Sequence, residues 1–509
     1  MKNYIGKKFS TSKINSTNRE VFDMQKIYFV TKNEGKYLEA KQILEEIQGN
    51  FSEKRWELIH YDMDLEEVQT NDVEKLVRKK ALSAFEQLKR VVLVEQTSLE
   101  IDAMGGLPGL QSAYILSGGK LNLETDALED IVLFCKMKQI FTARAETNYC
   151  LCDGKQFYYG KGIVEGSITK DFQKKEGGFG WDSIFIPEGM NESYAENLTG
   201  KWKNSMRKKA LESLFKGKEQ HNFFISSDKL LKEQRNMDEL AELIKQKKVM
   251  LFIGAGISAS VNLPSWSALL GELGEKAGFD KDIFQTYGDS MMLAEYLQIN
   301  EERQTKQHLR QRFDISEEQG ENLFKNKKEE SLYSLIDKLE VPVIYTTNFD
   351  NMIELYMKHI GKEYYVCSEI SDIQKCKHDA VRIMKFHGDI SQVDMEGKIV
   401  LAESQYYGRM KFDSFMDIQL QADIQKYSIL FLGYSLSDIN VKMLMYIARC
   451  RWGKEKQMPK EYIFTATPNE IQKEVFTQNG IISISNEEID KYKSTKQFLE
   501  ELVKRVRQK

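Results

Sequence analysis

VMLFIGAGIS, Val249–Ser258, is the stretch whose reading decides the fold of the larger half of this chain. Five apolar residues read as a buried strand, and Gly254, Ala255, Gly256 and Ser258 follow it at once. Glycines in that position let backbone amides approach a pyrophosphate at the start of a helix. One Gly-x-Gly is weak on its own, but three further apolar runs end in the same way. YTTNFDNMIE (345–354) places Thr347, Asn348 and Asp350 just past a strand. KFHGDI (385–390) places His387 and Gly388, and LFLGYSLSD (430–438) places Gly433, Ser435 and Asp438. Four strand ends with small or polar residues are hard to explain by packing, and open parallel sheets bind ligands at such ends. EYIFTAT (461–467) and STKQFLEELVKRV (494–506) add one more strand–helix pair. Residues 237–509 therefore read as a Rossmann-like, doubly wound parallel sheet, with a dinucleotide as its natural ligand.

Toward the N-terminus the chemistry changes. IYFV, from Ile27, is a short buried strand. TKNEGKYLEAKQILEEI then carries Ala40, Ile43, Leu44 and Ile47 at i, i+3, i+4 and i+7, the pattern of an amphipathic helix. Thr31, Asn33 and Lys36 stand at its N-terminus, where amides, dipole and ammonium favour an anion. A second helix starts near Asp72, with Asn71 and Glu74 as its expected cap. Glu67 comes next, and VLVEQTSLEIDAMGGLPG (92–109) delivers Glu95 to a glycine-rich turn. GGFGWDSIFIP (177–187) offers Phe179 and Trp181 to stack on a base and Asp182 to read its edge. Core packing is the ordinary fate of such aromatics. The glycines around them argue instead for a loop whose backbone approaches something closely. YAENLTGKWKNSMRKKAL (194–211) adds Lys201, Lys203, Ser205 and Arg207 near a helix start. Residues 24–226 thus read as a mixed α/β nucleotide domain. Residues 1–23 read as a mobile polar arm, and the polar segment 226–237 as the domain junction.

Composition agrees with two domains. A chain of 509 residues is too long for one ordinary core. With 41% hydrophobic and 29% charged residues it is not a disordered protein. A net charge of −4 gives no basic field for direct nucleic-acid binding. Six cysteines make no disulfide framework, and none has the spacing of a zinc site. The N-terminus lacks the apolar core of a signal peptide, and no apolar run approaches the ~20 residues that span a bilayer. The expectation is a cytoplasmic protein without a membrane partner.

The order TKNEGK, LVEQTSLEIDAMGGLPG, FGWD and YAE over about 27–215 resembles the inosine triphosphate pyrophosphatases of the Ham type. Those enzymes use magnesium to hydrolyse deaminated purine nucleoside triphosphates to monophosphate and pyrophosphate. The resemblance implies that Lys36 grips phosphate, that Glu67 and Glu95 lie at the metal, and that Phe179, Trp181 and Asp182 hold the base. This sequence departs from the family in two places. The family has an aspartate where Gln96 stands, and an amide neither accepts the proton of an attacking water nor serves a hard cation well. The family also has Ser-His-Arg where this chain has Ser205-Met206-Arg207, and the shortened spacing leaves Lys201 and Lys203 as alternatives for one lysine. A pocket that is kept while hydrolysis is lost or slow is a sensor.

GAGIS, TTNFD, FHGD and LGYSLSD, in that order across about 240–450, resemble the sirtuin-like NAD-consuming domains. Taken alone, a histidine after an apolar strand is more often structural; in this company His387 is a catalytic candidate. Protein deacetylases of that group carry a four-cysteine zinc module and a Pro-Asp-Phe-Arg stretch. Here the region has Cys367, Cys376 and Cys450 without paired spacing, and LPSWSALL follows the glycine turn. Both absences favour the branch that hydrolyses NAD in bacterial antiphage defence. The resemblance implies His387 as general base, with its ordinary pKa near working pH, and Asn348 positioning water or ribose hydroxyls. It implies Asp350 for stabilising the developing cation or orienting a partner group, and Ser435 and Asp438 for the adenosine half.

Together the halves suggest an NAD hydrolase, releasing nicotinamide and ADP-ribose, gated by ITP or dITP that binds with magnesium and causing abortive infection. A homo-oligomer and companion defence proteins are expected partners. Two alternatives stay open: an active ITP/XTP pyrophosphatase fused to an NAD-binding domain, and a non-enzymatic nucleotide-binding component of a defence complex.

Overall fold

A computed structural model describes residues 25–49, 56–65, 70, 72–110, 124–172, 180–215, 227–325, 330–377, 380–394, 398–452, 458–467 and 469–508. The chain divides into two compact units, Met1–Leu230 and Leu231–Lys509. The division falls within a helix, Ser227–Lys245, where the sequence led us to expect a polar linker. The expected arm, 1–23, lies outside the described residues.

The first unit is built on a mixed sheet. Strands β1 (Gln25–Val30), β2 (Trp56–Tyr61), β3 (Val92–Ile101), β4 (Pro108–Gly109), β5 (Thr142–Cys152), β6 (Phe157–Ile168) and β7 (Phe185–Pro187) are arranged in the order β2-β1-β3-β5-β6-β7, with β4 pairing β3. β1 runs parallel to β2 and β3; the pairs β3–β5, β5–β6 and β6–β7 are antiparallel. Nine of the ten residues of β3 are buried, because helices cover both of its faces. Leu93 packs with Ile43, Leu44, Leu211 and Leu214 from the helices Glu34–Gly49 and Met206–Phe215. Side chains of opposite parity face the helix Val73–Leu88. That helix is capped by Asp72, which accepts from the Lys75 amide at 3.0 Å, and not by Asn71, which lies outside the described residues.

The second unit is a seven-stranded, all-parallel sheet. Its strands β8 (Val249–Ile253), β9 (Val343–Thr346), β10 (Tyr364–Cys367), β11 (Val381–Lys385), β12 (Ser428–Leu432), β13 (Glu461–Phe464) and β14 (Ile481–Ile484) take the order β10-β11-β9-β8-β12-β13-β14. Alternation along β8 explains its unbroken apolar run. Val249, Leu251 and Ile253 enter one core, while Met250 and Phe252 enter the other. A strand of a parallel sheet that is buried on both faces reads as a near-continuous apolar run. From β8 the chain proceeds to β9 on one side, and β12 later pairs with β8 on the other. This is a topological switch, and ligands of open sheets bind at the carboxyl ends of such strands. β10 and β14, of four residues each, had no counterpart in the sequence reading.

Candidate functional site

In the first unit the candidate residues form a buried ionic network around Glu95. Its carboxylate accepts from Arg207 Nε at 3.1 Å and Tyr149 Oη at 2.8 Å, with Thr97 Oγ1 as a further donor, and it pairs with Lys36 Nζ at 3.1 Å. Burial alone would raise the Glu95 carboxyl, but Arg207 and Lys36 outweigh it and hold it well below the usual range. Burial lowers the Lys36 ammonium, with Glu95 opposing. Arg207 continues to Glu39 at 3.0 Å, Glu39 to Lys201 at 3.2 Å, and Lys201 to Asp182 at 2.7 Å.

Gln96 leaves β3 on the other face. Its Oε1 accepts from Lys80 Nζ at 2.8 Å, and its Nε2 donates to the Leu110 carbonyl at 3.0 Å. The amide uses both ends: a carboxylate would keep the lysine and lose the donor to the glycine-rich turn. Lys36, Lys201 and Arg207 thus join Glu39, Glu95 and Asp182 in one network, while Lys80 holds Gln96 on the opposite face of β3.

In the second unit four strand ends are tied together. The Gly254 amide donates to the Leu432 carbonyl and the Gly256 amide to the Gly433 carbonyl, both at 2.9 Å. Thr346 Oγ1 donates to the Ile253 carbonyl at 2.9 Å. The Phe386 amide donates to the Thr346 carbonyl at 2.8 Å, and the Ile390 amide to the Phe349 carbonyl at 3.1 Å. The turn carrying His387 is therefore fastened on both sides to the turn carrying Asn348. Ser258 Oγ donates to Asp350 Oδ2 at 2.8 Å and receives Asn348 Nδ2 at 3.0 Å. Behind them Lys385, 1% exposed, donates to the Asp350 carbonyl and pairs with Glu354 at 2.7 Å. Burial would lower Lys385, but Glu354, Asp389 and Asp350 raise it.

His387 is 3% exposed. Its Nε2 lies 3.1 Å from Asp438 Oδ2 without the alignment of a hydrogen bond, and its Nδ1 lies 3.4 Å from Tyr406 Oη. Burial pushes its pKa down to about 4, against the pull of Asp438. This corrects the expectation of an unshifted value: the imidazole is neutral and buried.

A model of the Ham1 family matches residues 27–217. Over 190 residues the chain is 34% identical to the dITP/XTP pyrophosphatase of Methanopyrus kandleri, covering 37% of this chain and 93% of that protein. The N-terminal half belongs to the Ham1 family. It is also 33% identical over 191 residues to the inosine triphosphate pyrophosphatase of Schizosaccharomyces pombe, covering 38% of this chain and 93% of that protein. A model of the SIR2-like domain matches residues 342–484. Over 264 residues the chain is 25% identical to the NAD(+) hydrolase ThsA of Cytobacillus dafuensis, and the match covers 51% of this chain and 49% of that protein. The C-terminal half carries a SIR2-like domain.

Within the Ham1 unit, several expected roles change. Trp181 is not free to stack on a base: it is 7% exposed and packs edge-on against Phe185 in the core. Phe179 and Glu67 lie outside the described residues. Of the two lysines, Lys201 is buried and pairs with Glu39 and Asp182, whereas Lys203 is exposed. Ser205 caps the helix Met206–Phe215 through the Lys208 amide at 3.1 Å. Arg207 is locked between two carboxylates. Thr31 and Asn33 order the start of the helix Glu34–Gly49, where Asn33 Oδ1 accepts from the Lys36 amide at 3.0 Å. Lys80, Glu39 and Tyr149 were missed, because a lone lysine, glutamate or tyrosine inside an apolar periodic run carries no local signal.

The described residues of the Ham1 unit do not make a magnesium site. Glu95 is surrounded by cations and hydroxyl donors, and position 96 offers an amide. Among the described residues no cluster of three metal-ligating side chains occurs.

In the SIR2-like unit, the glycines serve backbone contact rather than open amides. A Cβ on Gly254 would lie 2.5 Å from the Gly433 carbonyl oxygen, and the Gly256 amide is already bonded. Ala255 and Thr347 are half-buried at the strand ends. Ser435 is exposed and pairs with Ser437 at 2.7 Å. Asp438 faces His387 and caps the helix Ile439–Trp452 through the Val441 amide at 2.9 Å. The residues missed here are Thr346, Lys385, Glu354 and Tyr406.

Proposed function

We propose that this protein hydrolyses NAD to nicotinamide and ADP-ribose in its SIR2-like unit, under control of a deaminated purine nucleoside triphosphate held by its Ham1 unit. The observation that carries the reading is the Asn348–Ser258–Asp350 chain at the sheet's switch point, fastened beside His387 and Asp438. The similarity to an NAD(+) hydrolase supports it.

Each residue has a chemical task. The nicotinamide–ribose bond breaks with its electron pair leaving on nicotinamide, and oxocarbenium-like charge builds on the ribose. Asp350, held by Ser258, stabilises that charge in this reading. Asn348 spends its N–H on Ser258, so its carbonyl remains to accept from water or a ribose hydroxyl. A neutral His387 takes the proton of the attacking water.

Gln96 supports sensing over hydrolysis in the Ham1 unit. An amide stands where the related enzymes carry the carboxylate on which water activation depends. ITP or dITP would be retained, with magnesium entering on the triphosphate, and the released signal would deplete NAD and abort infection. The test is nicotinamide release by the pure full-length chain, with and without ITP, dITP, ATP and GTP. Release that ignores every nucleotide would remove the sensor. Loss of plaque protection in cells carrying His387→Ala would link the activity to defence.

A working pyrophosphatase is the second reading. It is favoured by the intact Lys36–Glu95–Arg207–Glu39–Lys201–Asp182 network. Turnover of ITP to pyrophosphate by the unaltered protein would establish it.

A further inference from the structure

A buried histidine normally bonds both ring nitrogens. His387 does not. Its Nε2 has no aligned partner, and its Nδ1 has only the 3.4 Å contact with Tyr406 Oη. Steric contact encloses it instead. The Tyr406 ring stands edge-on to the imidazole, centroids 5.2 Å apart and planes at 89°. Segment 398–402 lies over the same turn. The Val400 amide donates to the His387 carbonyl at 2.9 Å, and a Cβ on Gly388 would lie 2.1 Å from the Lys398 carbonyl oxygen. The charged groups that face the imidazole are Asp438, Arg409 and Asp417.

Tyr406 belongs to the six-residue helix Glu403–Gly408, which has few fastenings. Its first turn is held by Gln405 Oε1, which accepts from the Leu401 and Ala402 amides at 2.7 and 2.8 Å. Outside itself the helix is tied by the Ser404 amide donating to Glu295 Oε2 at 2.9 Å and by the Tyr406 hydroxyl, which donates to the Asp438 carboxylate. Just beyond it, Arg409 donates to the Phe386 carbonyl at 2.7 Å and pairs with Asp417. Its remaining surface is wet, with Tyr407 55% exposed, as is Met410 just past its end at 44%. Short elements with few contacts open most readily.

We propose that Tyr406 is a positioning residue that gates His387: its ring shuts the imidazole away from substrate, and NAD reaches it only when the helix Glu403–Gly408 withdraws. This rests on the NAD-hydrolase reading for its consequence, but not for its geometry. Closure also explains how a neutral, buried imidazole is kept idle. On opening, solvent and Asp438 return it toward its ordinary basicity.

The experiment is carbethoxylation of the full-length protein with diethyl pyrocarbonate, which attacks neutral imidazole. Peptide mass spectrometry follows His387 among the six histidines. Tyr406→Ala should label His387 at least about tenfold faster than wild type, as expected for removal of a local barrier. Tyr406→Phe, which keeps the ring, should stay near the wild-type rate. Glu295→Ala, which cuts the tether and leaves the ring, should move the rate in the same direction as Tyr406→Ala, by less. The same Tyr406→Ala protein should release nicotinamide from NAD without any nucleotide. Equal labelling in all four proteins would overturn the gate. Faster labelling with no NAD loss under any nucleotide would uphold the gate and sink the hydrolase reading.

Discussion

Replacing Gln96 tests whether that position decides hydrolysis in the Ham1 unit. Gln96→Glu keeps the length of the side chain. It leaves an oxygen 2.8 Å from Lys80 Nζ and removes the donor that lies 3.0 Å from the Leu110 carbonyl. An orphaned carbonyl costs about 1–3 kcal/mol if it is buried. Leu110 is only half-buried, so water recovers part of that. The bond to Lys80 becomes charge-assisted, which is roughly twice as strong as its neutral counterpart. The two changes nearly offset, and Gln96→Glu should unfold within about 1 kcal/mol of wild type. Gln96→Asp is shorter by one C–C bond, about 1.5 Å. It weakens both contacts, and a loss of about 1–2 kcal/mol follows. The chemical effect is larger. A general base is worth about 10²–10⁴ in rate, so Gln96→Asp should release pyrophosphate from ITP and magnesium at least ~100-fold faster than wild type. Coupled phosphate detection measures this, and urea unfolding measures the stability. If hydrolysis appears, ITP-triggered loss of NAD should become transient, because the signal is consumed. A folded Gln96→Asp protein that stays inert toward ITP would refute the reasoning: more than this carboxylate would then separate sensor from enzyme.

Three further outcomes follow from the geometry. His387→Ala should abolish nicotinamide release under every nucleotide while leaving ITP binding by calorimetry unchanged; retained turnover would reject the assignment of the base. Arg207→Met should cost about 3–5 kcal/mol in urea unfolding, because it takes a cation from each of the buried Glu39 and Glu95 carboxylates and leaves them to Lys201 and Lys36. Adding Glu95→Gln should recover part of that loss, and a silent Arg207→Met would contradict the network. The pKa of His387 is about 4 folded, against about 6.5 unfolded, so the fold prefers the neutral ring. Its share of stability is complete above pH 6.5 and is lost as pH falls toward 4, at about 1.4 kcal/mol per unit, or about 3 kcal/mol in all. His387→Gln should therefore flatten the melting curve in that window, and a parallel pH profile would count against burial as the cause.

The parallel sheet was legible because strands buried on both faces are conspicuous. VMLFI and SILFL have no polar alternation, and each stops at glycine. β10, YYVC, and β14, IISI, escaped because four residues at a sheet margin are too short for periodicity to register. Side-chain direction was the harder inference. Trp181 sits among glycines and reads as a loop aromatic, but its ring turns into the core beside Phe185. Glu95 and Gln96 read as one constellation, yet strand geometry sends them to opposite faces, one toward Arg207 and the other toward Lys80. Lys80 and Glu39 were invisible for the same reason. Each lies in an amphipathic helix whose other buried residues are mostly apolar, and only the fold shows what it meets.

Linkage gives the gate and the sensor a shared quantitative test. A nucleotide held in one unit opens a histidine in the other only by binding the open form more tightly than the closed one. Shifting a population from 1:99 to 99:1 requires a preference of about 10⁴. That preference is reciprocal: whatever opens the site must tighten the nucleotide by the same factor. Tyr406→Ala opens the site without nucleotide, so it removes the cost that wild type meets on binding. If ITP drives the opening, Tyr406→Ala should bind ITP more tightly than wild type, up to the inverse of the wild-type open fraction, or about 10²-fold for 1% open. Calorimetric titration of the two full-length proteins measures the ratio, and NAD turnover need not be followed. Identical affinities together with faster labelling of His387 would mean that the gate is real and that ITP does not work it.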